Sequence, residues 1–304
     1  MSLDDASVLS GSPQRSLLAR YPLLFYFLIA YVGTWFLSLP CALSEDGVGL
    51  LPFSSPLLIF AVFAIGPFSG PSLSAFIMTG ITQGRAGIRC LLGRYIMWQV
   101  GVRWYLFALI VIPVTQMLGV IVLTGTLPSF EVVTPPYVLT YLGSFVVVLI
   151  FGAPLGEEPG WRGFALPRLQ SLHGPLIGSL ILDVLWAFWH LPLFWIRAWD
   201  LPPTVANIVM FVLADIALTI IMTWVFNNTK GSLLIAILVH TSFNAFSNGP
   251  LPLLFPTALA PDSLALPLLI GSGVVALLLV VFTRGRLGYE HYRQEEPATV
   301  TAPT

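Results

Sequence analysis

The side chains that could do chemistry and lie in or beside long apolar stretches of this 304-residue sequence are few: Glu157, Glu158, Arg162, Asp183, His190, Asp215, His240 and Asn244. Each ionisable group placed in a bilayer costs at least about 2.5 to 3.5 kcal/mol on insertion scales, so each marks a candidate site. A glutamate, two histidines and an asparagine are the parts that hydrolysis of a peptide bond requires: a base to activate water, and donors to hold the oxyanion of the tetrahedral intermediate. His240 and Asn244 are four residues apart and share a helical face. Alone, they could equally be interhelical hydrogen-bonding residues, worth about 0.6 to 2 kcal/mol. Glu157 and Glu158, being adjacent, diverge by about 100° on a helix. Arg162 follows Glu158 by four residues, so the spacing predicts a Glu158–Arg162 ion pair and leaves Glu157 to face a cavity. The other reading of Gly156 to Arg162 is a charged surface loop. Asp183 lies about 10.5 Å along the axis from His190, too far for contact, and Asp183 and Asp215 read as interhelical hydrogen-bonding groups. The sequence has no Gly-x-Ser-x-Gly or His-Glu-x-x-His run, which argues against serine hydrolases and soluble zinc proteases.

These residues need elements to carry them. Charged residues make up 9% of the chain and hydrophobic ones 57%, where a soluble protein has about 25% charged. Mean hydropathy is +0.89. This composition excludes a soluble globular fold, because lipid must cover most of the surface. The formal charge of −1 offers no basic stripe for nucleic acid. Cys41 and Cys90 suggest neither a disulfide framework nor a thiolate metal site.

About 20 apolar residues cross a bilayer as helix. Eight segments qualify: Tyr21 to Leu43, Pro56 to Ile81, Val102 to Leu127, Tyr137 to Gly156, Pro175 to Ile196, Val205 to Phe226, Ser232 to Phe246 and Leu264 to Thr283. The expected fold is therefore an all-α polytopic membrane protein with about eight transmembrane helices in one domain, residues 21–283. The first segment reads as a retained helix, since its apolar run exceeds that of a signal peptide. Twelve of the 13 basic residues fall on one side of this arrangement, Arg197 being the exception, which predicts that both termini are cytoplasmic. Residues 1–20 are expected to form a mobile N-terminal segment and residues 284–304 a cytoplasmic tail, mobile from Tyr289 onward.

Depth supports a shared pocket. At 1.5 Å per residue His190 lies about 22 Å from Pro175 and His240 about 15 Å from Lys230, while Glu157 reaches about 20 Å only if helix continues past it to Gln170. A straight helix from Tyr137 to Gln170 would be about 51 Å long, so a break near Pro154 or Pro159 is expected.

Glu157-Glu158-Pro-Gly-Trp-Arg162, Trp186-Ala-Phe-Trp-His190 and His240-Thr-Ser-Phe-Asn244 occur in that order. They resemble the CAAX-protease and bacteriocin-processing (CPBP) intramembrane peptidases, also called type II CAAX prenyl endopeptidases or Abi proteins. The family pattern is Glu-Glu-x-x-x-Arg, Phe-x-x-x-His and His-x-x-x-Asn. The likeness covers about 149–246, a third of the chain, and departs from the pattern at Trp186, where an aromatic is kept. The resemblance implies an intramembrane endopeptidase acting on a membrane-associated protein or peptide. The expected location is the cell membrane, with the active site opening to the cytoplasmic side. Glu157 would activate water with help from His190, His240 and Asn244 would form the oxyanion pocket, and Glu158 and Arg162 would hold the helix geometry. The resemblance also admits a zinc held by Glu157, His190 and His240 with water as fourth ligand; Asn244 suits an oxyanion pocket better than a ligand shell, which favours direct activation without metal. The rival expectations are a proton-coupled transporter, for which no matching pair of broken half-helices is found, and a non-catalytic scaffold, although no member of the set is missing.

Overall fold

The computed structural model describes residues 16–129, 135–256 and 264–295. These form helices and turns, without a strand. Five helices are long and apolar enough to cross a membrane. They are α1 (Pro22–Leu43), α4 (Val102–Thr124), α7 (Pro175–Trp189, extended by a 3-10 turn to Trp195), α8 (Val205–Asn228) and α10 (Ala265–Thr283). Two further segments are bent pairs: α2 (Pro56–Ile65) with α3 (Phe68–Tyr95), and α5 (Pro135–Phe151) with α6 (Pro154–His173). The remaining expected segment is α9 (Leu233–Asn248), of 16 residues. The chain is an all-α polytopic membrane protein. All eight apolar segments are helical, but α9 is shorter than a span exposed to lipid requires. Twelve of its residues are buried, so other helices surround it and it need not match the lipid thickness.

Prolines set both bends. Between α2 and α3 the axis turns 47° at Gly66-Pro67, and between α5 and α6 it turns 53° just before Pro154, in line with the break the depth arithmetic demands. Proline lacks an N–H and crowds the preceding turn, which opens the ladder. Pro159 lies inside α6, and Trp161–Ala165 takes the wider π-helical form, the kind of local rearrangement that often accompanies a functional site. Helix then continues past Glu157 to His173.

The bend region of α3 forms the seat for α6. A side chain on Gly156 would strike Pro67 and Phe68, and one on Gly160 would strike Tyr26 and Pro71. This Gly-x-x-x-Gly face lets the two backbones approach closely, and Ser72 Oγ donates to the Gly156 carbonyl at 2.7 Å. The helix carrying Glu157 is thereby fixed at its first turns.

Buried polar rungs tie α6 and α7 to α8. Thr219 Oγ1 donates to Asp183 Oδ1 at 2.7 Å, Ser179 and Thr223 pair at 2.8 Å, and Gln170 and Asn227 exchange two hydrogen bonds. Asp183 is thus an interhelical residue, as expected. The descending partners on α7 and rising ones on α8 also establish that these helices run antiparallel. One end of the bundle gathers Arg94, Lys230 and Arg284; the other gathers the loop after α1, the turn after α7 and the end of α9, where Arg197 N donates to Asp46 O.

The expected tail is only partly loose chain. Tyr289–Glu295 is helical, and Tyr292 is buried against Phe226, its hydroxyl accepting from Arg94. Its polar composition concealed one aromatic anchor. The mobile ends expected at 1–15 and 296–304 lie outside the described residues.

A methyl group at Gly160 must displace backbone, whereas one at Gly93 meets open space. Gly160→Ala is expected to lower unfolding stability by about 1 to 3 kcal/mol, and Gly93→Ala to leave it unchanged or slightly raised. Denaturation in detergent checks this; equal effects would contradict the tight seat.

Candidate functional site

Four of the sequence-predicted residues meet in one place. Glu157 from α6, His190 from the end of α7, and His240 and Asn244 from α9 line a single cavity of about 130 Å³, large enough for water. Glu157 is 1% exposed, Glu158 fully buried, and His190 and His240 are buried as well. The charged-loop reading of Gly156 to Arg162 is overturned: this stretch is helical and interior.

Glu157 and Glu158 diverge as adjacent helical residues must. Glu157 turns into the cavity, where its Oε2 accepts from Trp186 Nε1 at 2.7 Å and Trp161 Nε1 at 3.2 Å. Glu158 turns away, and its Oε1 accepts from Arg162 Nη1 at 3.0 Å and His240 Nδ1 at 2.7 Å. A carboxylate only accepts, so His240 carries its Nδ1 proton and offers Nε2 to the cavity. His190 Nδ1 lies 3.0 Å from the Trp186 carbonyl, another group that only accepts, so His190 also presents Nε2. The two rings are therefore oriented by partners outside the cavity. The carboxamide of Asn244 hydrogen-bonds to no described residue and remains available to a ligand.

Arg162 is fully buried. Besides Glu158, it donates to Thr219 Oγ1 at 3.2 Å, which passes the contact on to Asp183, and its guanidinium sits 4.4 Å from the centre of the Trp186 ring. The sequence pattern did not reveal two features of this arrangement. Trp186 is more than a retained aromatic, because its indole N–H holds Glu157, which phenylalanine cannot do. Asp215 also lines the cavity, without any interhelical hydrogen bond. The four-residue steps Asp215, Thr219, Thr223 and Asn227 were the available signal for a polar face on α8.

The three residues named for a zinc, Glu157, His190 and His240, all line the cavity. Among the described residues no three His, Cys, Asp or Glu side chains stand close enough to hold one ion. Glu157 Oε2 is engaged by two indoles, and Oε1 is not.

The cavity lies towards the end of the bundle away from Arg94, Lys230 and Arg284. Leu193 and Trp199, from the turn following α7, help to wall it. Among the described residues, Arg94, Lys230 and Arg284 and the turn that walls the cavity thus lie at opposite ends of the bundle.

Residues 139–246 match the family model described as type II CAAX prenyl endopeptidase Rce1-like. Over 103 residues the chain is 30% identical to CAAX prenyl protease 2 of Methanococcus maripaludis, a match covering 33% of this chain and 38% of that protein. The chain thus spans less than half the length of this curated relative. The resemblance read from the three motifs is borne out, and the matched stretch contains all of them.

Removing one partner of a buried ion pair strands the other charge at a cost of about 3 to 5 kcal/mol, whereas replacing both with apolar groups can be near neutral. Arg162→Met is expected to show the larger loss, and the double variant Arg162→Met with Glu158→Leu to recover part of it. Unfolding of the single and double variants checks this; additive losses would contradict the pairing.

Proposed function

We propose that this chain, whose residues 139–246 carry the Rce1-like family match, is an intramembrane endopeptidase that cleaves a membrane-associated protein or peptide with water activated by Glu157. The observation that carries this reading is that Glu157, His190, His240 and Asn244, drawn from three helices, line the same buried cavity.

Glu157 takes a proton from a water in the cavity, with His190 Nε2 orienting that water. The resulting hydroxide attacks the peptide carbonyl. Negative charge then builds on the carbonyl oxygen, where the Asn244 amide and His240, when its ring carries both protons, donate to it. The proton held on Glu157 passes to the leaving nitrogen as the C–N bond breaks, which restores the carboxylate. The indole N–H groups of Trp186 and Trp161 both donate to Oε2, which leaves Oε1 as the oxygen that takes the proton. Glu158 and Arg162 act through His240 and the helix, not on the substrate. No step uses a metal.

A proton-coupled transporter would also use buried carboxylates and imidazoles, but the oxyanion-type donors and the family match favour peptide hydrolysis. Glu157→Ala is expected to abolish cleavage of a membrane-presented reporter peptide, by about 10²-fold or more, while the protein keeps its melting behaviour. Undiminished hydrolysis by folded Glu157→Ala protein would remove Glu157 from its role.

The orientation that the basic residues support puts both termini in the cytoplasm of a cell-membrane protein. We take that orientation over a cytoplasmic opening, so the cavity opens on the opposite face. Labelling intact cells with a membrane-impermeant maleimide checks this. A cysteine introduced at the exposed Ala198 is expected to react and Cys90 to stay unreacted; the reverse pattern would place the cavity mouth in the cytoplasm.

A further inference from the structure

The polar face of α8 is occupied at three of its four steps. Thr219, Thr223 and Asn227 each hydrogen-bond across to a neighbouring helix. Asp215, the fourth, does not: its Oδ2 is buried without a partner, and the residue is only 9% exposed. A buried carboxylate without a hydrogen-bond partner is costly, and no described residue on the adjacent helices hydrogen-bonds to this one. Asp215 is also out of place as interhelical glue, because it lines open space.

That space has two chambers. The first is the 130 Å³ cavity containing Glu157; the second, of about 330 Å³, lies beside it. Trp199, Phe211, Asp215, Phe243 and Asn244 line both, so the chambers adjoin, with Asp215 and Asn244 at the junction. The polar lining of the second chamber is Asp200, Asp215, Asn244, Ser247 and Asn248. Among the described residues it holds two carboxylates and no lysine, arginine or histidine. The rest is apolar or aromatic, including Trp199, Phe211 and Leu268. Such a chamber suits a long aliphatic stem that ends in a positive charge.

We propose that the second chamber is a specificity pocket that takes a lysine or arginine side chain of the bound peptide, with Asp215 as its ion-pair partner. The proposal rests on the peptidase reading in taking the occupant to be a peptide. The reacting bond would lie in the first chamber and the cationic residue beyond the junction, its stem against Trp199 and Phe211. Asp200, exposed at the rim, adds to the negative field that draws the cation in.

The test uses full-length Glu157→Gln protein in nanodiscs, so that probes are not consumed. Two dye-labelled apolar peptide amides are compared, identical except for one lysine or norleucine. The lysine probe is expected to bind about tenfold more tightly, and Asp215→Asn to bring the two within about twofold. Asp200→Asn, at a left-handed position (φ 57°) that asparagine tolerates, is expected to reduce the preference by a smaller factor. It also keeps the test decisive if Asp215→Asn fails to fold. Equal affinities, no measurable binding of either probe, or a lysine preference that survives in folded Asp215→Asn protein would overturn the pocket. Loss of the preference while wild-type protein still cleaves overturns the pocket alone; a preserved preference with no cleavage of any peptide overturns the peptidase reading alone.

Discussion

A guanidinium with no exposed surface must find its counter-charge inside the protein, and the arrangement around Glu157 follows from how Arg162 does so. Arg162 and Glu158 pair one helical turn apart, and the same Glu158 oxygen receives the Nδ1 proton of His240. One carboxylate therefore joins α6 to α9. Through Thr219, Arg162 also reaches Asp183, which brings α7 and α8 into the same network. Because water is excluded, each contact is worth more than it would be at a surface, and each missing partner costs more. Burying the pair is not in itself stabilising; what it secures is that the helices meet in one register.

That register leaves Glu157 with the other orientation. Its neighbour is committed to the ion network, so the 100° step along the helix points Glu157 at the cavity. There two indoles hold one of its oxygens. The two imidazoles are likewise pinned by Nδ1, one on a carboxylate and one on a carbonyl, and each presents Nε2 to the cavity. The site is thus pre-organised by groups that never touch the reacting atoms, which is how a scaffold limits reorganisation during catalysis.

Much of this was legible in the sequence because the rules involved are local. Four-residue spacing gave the Glu158–Arg162 pair and the shared face of His240 and Asn244, and rise per residue required a break near Pro154. What could not be read depended on neighbours distant in sequence. The indole bond of Trp186 spans 29 residues, and the short α9 is explained only by the helices around it. Tyr292 docks because Phe226 and Arg94 happen to face it.

The central claim is that the buried Glu158 network sets Glu157 and two imidazoles around one cavity large enough for water. An experimental structure of the full chain in lipid nanodiscs tests it most directly. The account predicts Glu158 within hydrogen-bond distance of both Arg162 and His240, with Glu157 on the Trp186 indole and facing the same cavity as His190. A Glu157 carboxylate in bulk solvent, or His190 and His240 lining separate spaces, would contradict it.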